Sequence, residues 1–438
     1  MRSVFSLLLL FSSNLFYPVS VILIFAWAAN RVNSSDDSHR RAGLGLLAIS
    51  ILGNPIIDGI PSISVQTPLG KTEAIFTWLC LILSFWEVLL IKKRRKFPLP
   101  QKIALYLYFF YWIVGLGLAL FQGLQFRPSF FYSPVALIIL LALSPSMSDL
   151  DAIVPIFALT LVLILVFALF KYRSPNIDPV YLDATSATSV YHNFTWNLFG
   201  LTDRFRGPYQ HPNALGIVVA FLTLLVLASP KKIWRYFALL GFLLLGLCAS
   251  RTSIITVVVG VSLFAVSSAS KNKFGQKAPK SILVVIAFLF AGLVAAPIYF
   301  SNRTLTGRLS NYSRVFQVWK ISPWTGNWVA GGNQTENMFL TSLVSVGILG
   351  TLFLVALLLS LYKLQKDSKM TATLVAPLFY AFFVGNLGEA IFKVGGWDIG
   401  SLYVIAIVAA SFTIPYAPLS GSEGRYVAAV NFNPVRRS

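Results

Sequence analysis

Four stretches of the chain set charged or polar side chains directly beside long apolar runs, where charge is expensive and usually has a use. The first reads Asp203-Arg204-Phe205-Arg206-Gly207-Pro208-Tyr209-Gln210-His211-Pro212-Asn213. Arg204 and Arg206 carry fork-shaped donors that match phosphate oxygens, Gly207 permits close backbone approach, and Pro212 suits the first turn of a following helix. The same stretch also reads as a juxtamembrane loop with an internal Asp203–arginine pair, and His211 alone as a hydrogen-bonded structural residue. The second is Ser250-Arg251-Thr252, between two apolar runs with almost no loop; Arg251 either faces a ligand or snorkels to the interface. The third carries Gly307-Arg308 and Arg314, then Ser322-Pro323-Trp324-Thr325-Gly326-Asn327-Trp328 and Gly331-Gly332. Its turn formers and tryptophans predict a folded loop on the membrane surface. The fourth is Glu336-Asn337, opening an apolar run that continues through Gly347 and Gly350. A carboxylate there caps a helix or, with an adjusted pKa, serves as a general base. Glu389 is a second acid, and His211, Asn213 and Asn337 are the supporting polar groups. No phosphate-binding glycine loop, metal-ligand spacing or Ser/His/Asp arrangement occurs, which argues against ATP-driven transport and a metalloenzyme and leaves no cofactor expected.

The elements that hold these residues are membrane helices. Of 438 residues, 56% are apolar and 11% charged, with mean hydropathy +0.74. A soluble domain carries about 25% charged residues, so most of this surface faces something other than water. Apolar runs occur at 4–28, 73–92, 101–122, 129–146, 150–171, 212–229, 233–249, 251–270, 281–300, 337–362, 371–389 and 398–416. A weaker stretch, 42–58, contains Asn54, Pro55 and Asp58 and reads as an interfacial or re-entrant helix, so the prediction is an all-α bundle of 12–13 spans in one domain over 1–438. The first run resembles a signal peptide but lacks a small-residue cleavage site and is read as retained. Cys80 and Cys248 lie inside apolar runs and read as packing residues.

Net charge is +20, but the basic residues are spread over short connectors, which excludes a nucleic-acid face. Clusters at Lys92–Lys96, at Lys231, Lys232 and Arg235, at Lys271–Lys280 and at Lys363–Lys369 all fall on one side when spans are counted. That side, with the C-terminus, is cytoplasmic. Two long loops, 172–211 and 301–336, then lie outside, and the second holds Arg303, Arg308, Arg314 and Lys320 with no acid before Glu336. Cations on that side run against the usual sidedness and point to capture of an anionic group; long loops also translocate whatever their charge.

The order Arg206-Gly207…His211-Pro212-Asn213, Ser250-Arg251-Thr252, Gly307-Arg308…Ser322-Pro323…Gly326 and Glu336-Asn337…Leu340…Gly347…Gly350 resembles the O-antigen ligase and O-antigen polymerase superfamily. The resemblance covers roughly residues 190–360. It implies a metal-independent, inverting C-type glycosyltransferase of the bacterial inner membrane. Such an enzyme joins glycan carried on undecaprenyl pyrophosphate to an acceptor glycan hydroxyl, and a flippase and a chain-length regulator are its implied partners. The family's pyrophosphate-binding arginines map to Arg206, Arg251 and Arg308, with Arg204 and Arg314 beside them. The ligases place His where this chain has Glu336, so the departure favours a repeat-unit polymerase of capsule, exopolysaccharide or O-antigen with Glu336 as base. A lipid-linked oligosaccharide flippase or other transporter is the competing reading.

Overall fold

The computed structural model describes residues 29–58, 66–67, 70–122, 131–173, 205, 209, 212–248, 250–271, 315–327, 337–367, 374–388 and 399–412. The predicted runs 4–28 and 281–300 lie outside them. Within them the chain is helical apart from one ladder of β1 (Gln66–Thr67) with β2 (Gly70–Lys71). The helices are α1 (Asp36–Asp58), α2 (Thr72–Leu89), α3 (Leu99–Phe121), α4 (Tyr132–Leu143), α5 (Met147–Arg173), α6 (Pro212–Leu227), α7 (Lys232–Cys248), α8 (Arg251–Lys271), α9 (Met338–Asp367), α10 (Val375–Gly388) and α11 (Ile399–Ser411).

Local chemistry sets their ends. Ser35 caps α1 by accepting the Ser38 N–H at 3.3 Å, and Asp36 and Asp37 follow in its first turn. At the start of α5 Asp149 Oδ2 reaches back to accept the Ser146 N–H at 3.0 Å and the Ser146 hydroxyl at 2.8 Å. Pro100 and Pro212 stand in the first turns of α3 and α6. The weak 42–58 stretch proves to be the apolar part of α1, a 23-residue helix whose residues 44–52 are almost wholly buried against α2.

Helix α11 sits at the centre. Every residue from Gly400 to Ala410 is buried, as expected of a helix apolar on all faces. Tyr403 on it packs its ring at a tilt against Phe221 of α6, centroids 4.4 Å apart, and against Phe382 of α10, at 5.6 Å. Cys80 and Cys248 are buried as packing residues. Around this core the outward faces carry apolar stripes at helical spacing. On α3 the exposed residues include Leu99, Ile103, Tyr106, Phe110 and Ile113, and on α9 Leu352, Val355, Leu359 and Tyr362. Continuous apolar faces of this size are stable against lipid and not against water. Leu99–Leu118, Met147–Val166 and Met338–Lys366 are long and apolar enough to cross a membrane, and several shorter apolar helices pack beside them. These features mark an α-helical membrane protein.

Candidate functional site

The helices that begin in the predicted motifs are packed side by side. Gly216 of α6 lies so close to the start of α8 that a methyl group there would fall 2.9 Å from Cβ of both Ser250 and Ser253. Further along, Gly260 of α8 receives Leu224 of α6, so the two helices run parallel and the Pro212-Asn213 and Ser250-Arg251-Thr252 starts lie at one end. Small residues permit this approach. Ser250 has a structural duty of its own. Buried, it accepts the Ser253 hydroxyl at 2.8 Å and caps α8, which puts Arg251 in the first helical turn. The buried Phe205, flanked in sequence by Arg204 and Arg206, donates its N–H to the Leu247 carbonyl at 3.0 Å, tying that motif to the last turn of α7.

Asn337 joins two further elements. Its Oδ1 caps α9 by accepting the Phe339 and Leu340 N–H groups at 2.9 and 3.2 Å, and its Nδ2 donates to Leu387 O of α10 at 3.1 Å. Helix α10 packs along α8 and also touches α6. Asn337 thus ties the start of α9 to the C-terminal end of α10, a helix that is itself a neighbour of α6 and α8. Asn213 is half-buried in the first turn of α6. The side chain of Arg251 and all of Arg204, Arg206, His211, Arg308, Arg314, Glu336 and Glu389 lie outside the described residues.

The run predicted as one helix over 337–362 is broken. Gly347 has φ 67° and ψ −166°, a conformation open essentially to glycine, so α9 consists of a short half before it and a long half, 348–367, of about 30 Å after it. The halves fold toward each other. Thr351 lies 3.2 Å from Ser342 through their hydroxyls, whereas nine residues of straight helix would separate them by about 13 Å. Tyr111 of α3 donates to the same Ser342 at 3.3 Å.

A break within an apolar, packed helix needs partners for its freed backbone groups. The 322–327 segment of the third motif supplies them. Ile348 N–H donates to Pro323 O at 2.9 Å, Leu349 N–H to Trp324 O at 3.3 Å, and Asn327 N–H to Val344 O at 2.5 Å. Gln122, just after α3, closes the group by donating to Gly326 O at 2.8 Å. Gly326, φ 68°, rests on Gly347: a methyl on Gly326 would meet the Gly347 nitrogen at 2.5 Å and Val344 O at 2.6 Å. Of the loop expected over 301–336, residues 315–327 are described: a short helix over 315–321 and a turn over 322–327 whose Ser-Pro-x-x-Gly glycine docks it into the helix break.

One buried constellation escaped the sequence reading. At the other end of α3, Glu87 is fully buried, bound by Arg31 through Nε at 2.9 Å and Nη2 at 3.2 Å and by His39 Nδ1 at 2.6 Å. Beside it, Arg95 bridges Asp149 and Asp37, each at 2.6 Å, and Arg40 reaches Asp37 at 3.2 Å. Arg41 approaches Asp149 at 3.4 Å. The signal was available: an acid inside an apolar run demands a partner. Its partners lie 48 and 56 residues away and had no local signature. No cluster of metal-binding side chains occurs among the described residues. Comparison with protein-family models and with curated proteins finds no match.

Proposed function

We propose that the chain is a membrane glycosyltransferase of 12–13 spans that takes glycan from undecaprenyl pyrophosphate at the outer face of the bacterial cytoplasmic membrane. It acts as a repeat-unit polysaccharide polymerase. The observation that carries the reading is the pairing of the α6 and α8 starts, since both hold arginine-bearing motifs of the family it resembles. In this reading Arg204, Arg206, Arg251, Arg308 and Arg314 bind the diphosphate, whose charge grows as it leaves. An acceptor hydroxyl oxygen attacks the anomeric carbon, the bond from that carbon to pyrophosphate oxygen breaks with its electron pair, and Glu336 takes the hydroxyl proton. A single displacement inverts the centre.

Purified protein given an undecaprenyl-pyrophosphate oligosaccharide tests this. Lengthened glycan supports a polymerase, transfer to another acceptor a ligase, and movement across the bilayer without bond formation a transporter. Arg251→Ala and Arg308→Ala should each lower turnover by roughly 100-fold while membrane insertion persists. Undiminished product from both variants removes the assigned site.

A further inference from the structure

The linker after α2 reads Lys92-Lys93-Arg94-Arg95-Lys96-Phe97, and the structure sorts it into two sets. Arg95 and Phe97 turn inward, the first into its pairs with Asp149 and Asp37, the second into the core against Phe412, centroids 5.6 Å apart. Lys92, Lys93, Arg94 and Lys96 are exposed, and among the described residues no carboxylate pairs with them. The backbone beneath them is held. Asp36 accepts the Lys92 N–H at 3.0 Å and the Lys93 N–H at 2.8 Å, and Arg40 donates to the Lys93 carbonyl. Lipid-facing residues stop on both sides of this turn: Phe85, Trp86 and Leu89 end α2, and Leu99, Ile103 and Tyr106 begin α3. The displayed cations therefore stand where acyl chains give way to headgroups.

We infer that the 92–96 turn is a preorganised binding site for the headgroup of an anionic phospholipid on the basic face of the membrane. Arg94 offers a fork to phosphodiester oxygens, and the lysines add point charges. Holding the backbone in advance reduces the ordering cost of binding.

The full chain in phosphatidylcholine nanodiscs titrated with phosphatidylglycerol, read by native mass spectrometry, tests the site. Removing two of its cations as K92Q/K93Q should weaken retention by roughly fivefold per charge. The charge-matched K363Q/K366Q, from the exposed end of α9, should change it less than about twofold. Equal loss in both variants overturns the site in favour of diffuse attraction. Asp36→Asn separates the two by sign: it makes this face more positive, so diffuse attraction predicts tighter retention, whereas loss of the backbone clamp predicts weaker. Tighter retention in that variant overturns the proposal, as does displacement of the lipid by millimolar inorganic phosphate, which would make the site one for free anions.

Discussion

Glu87 is the residue whose environment leaves it least freedom. Its carboxylate is fully buried and bound on both oxygens, so Glu87→Gln leaves Arg31 and His39 facing a neutral amide. Breaking one side of a buried pair costs about 3–5 kcal/mol. The expected result is a large drop in the detergent melting temperature; an unchanged midpoint would mean the cluster carries no stability. Asp36 behaves differently because it is solvated. Backbone N–H donors from Lys92 and Lys93 hold its carboxyl below the usual carboxylate value. A depressed folded-state pKa contributes stability that is present above the unfolded value and lost as pH falls through the folded one. Wild type should therefore lose its stability advantage over Asp36→Asn only in the acid range below pH ~4, and thermal melts across that range check the sign.

At the scale of elements, the broken helix decides the most. Gly347 cannot take a side chain without strain, and its neighbour Gly326 cannot without displacing backbone. Gly347→Ala should destabilise the protein by about 1–3 kcal/mol and detach the 322–327 segment. The measurable signs are a lower melting temperature and faster hydrogen exchange at Ile348, Leu349 and Asn327. Exchange identical to wild type would show that the docking does not depend on glycine. Both glycines stand out in the sequence as motif positions, yet 337–362 reads there as a continuous run, because hydropathy averages over a break that leaves composition unchanged. Most other helix starts fall within about three residues of the apolar runs, Pro212 at the start of α6 among them, but α1 begins six residues before the 42–58 stretch because its polar first turn carries no apolar signal.

For the whole molecule, α3 sets the axis. Its first turn adjoins the Arg95 network, and its last adjoins the Gly326–Gly347 contact, about 35 Å apart. A membrane lying across α3 puts these on opposite faces. Single cysteines replacing Lys93 and Ile321 should be labelled by an impermeant thiol reagent from opposite sides of the membrane. Labelling of both from one side would break the assigned sidedness and the outer-face chemistry with it.

Residue order alone determined that this chain belongs in lipid and where most of its helices begin, because burying uncharged surface and satisfying helix ends are local, compositional matters. It also brought out the motif residues as unusual. Only the tertiary structure decided which helices are neighbours, that the third motif's glycine fills a helix break, and that Glu87 meets Arg31 and His39. Those outcomes depend on close approaches between segments far apart in the chain, and no periodicity within one segment encodes them.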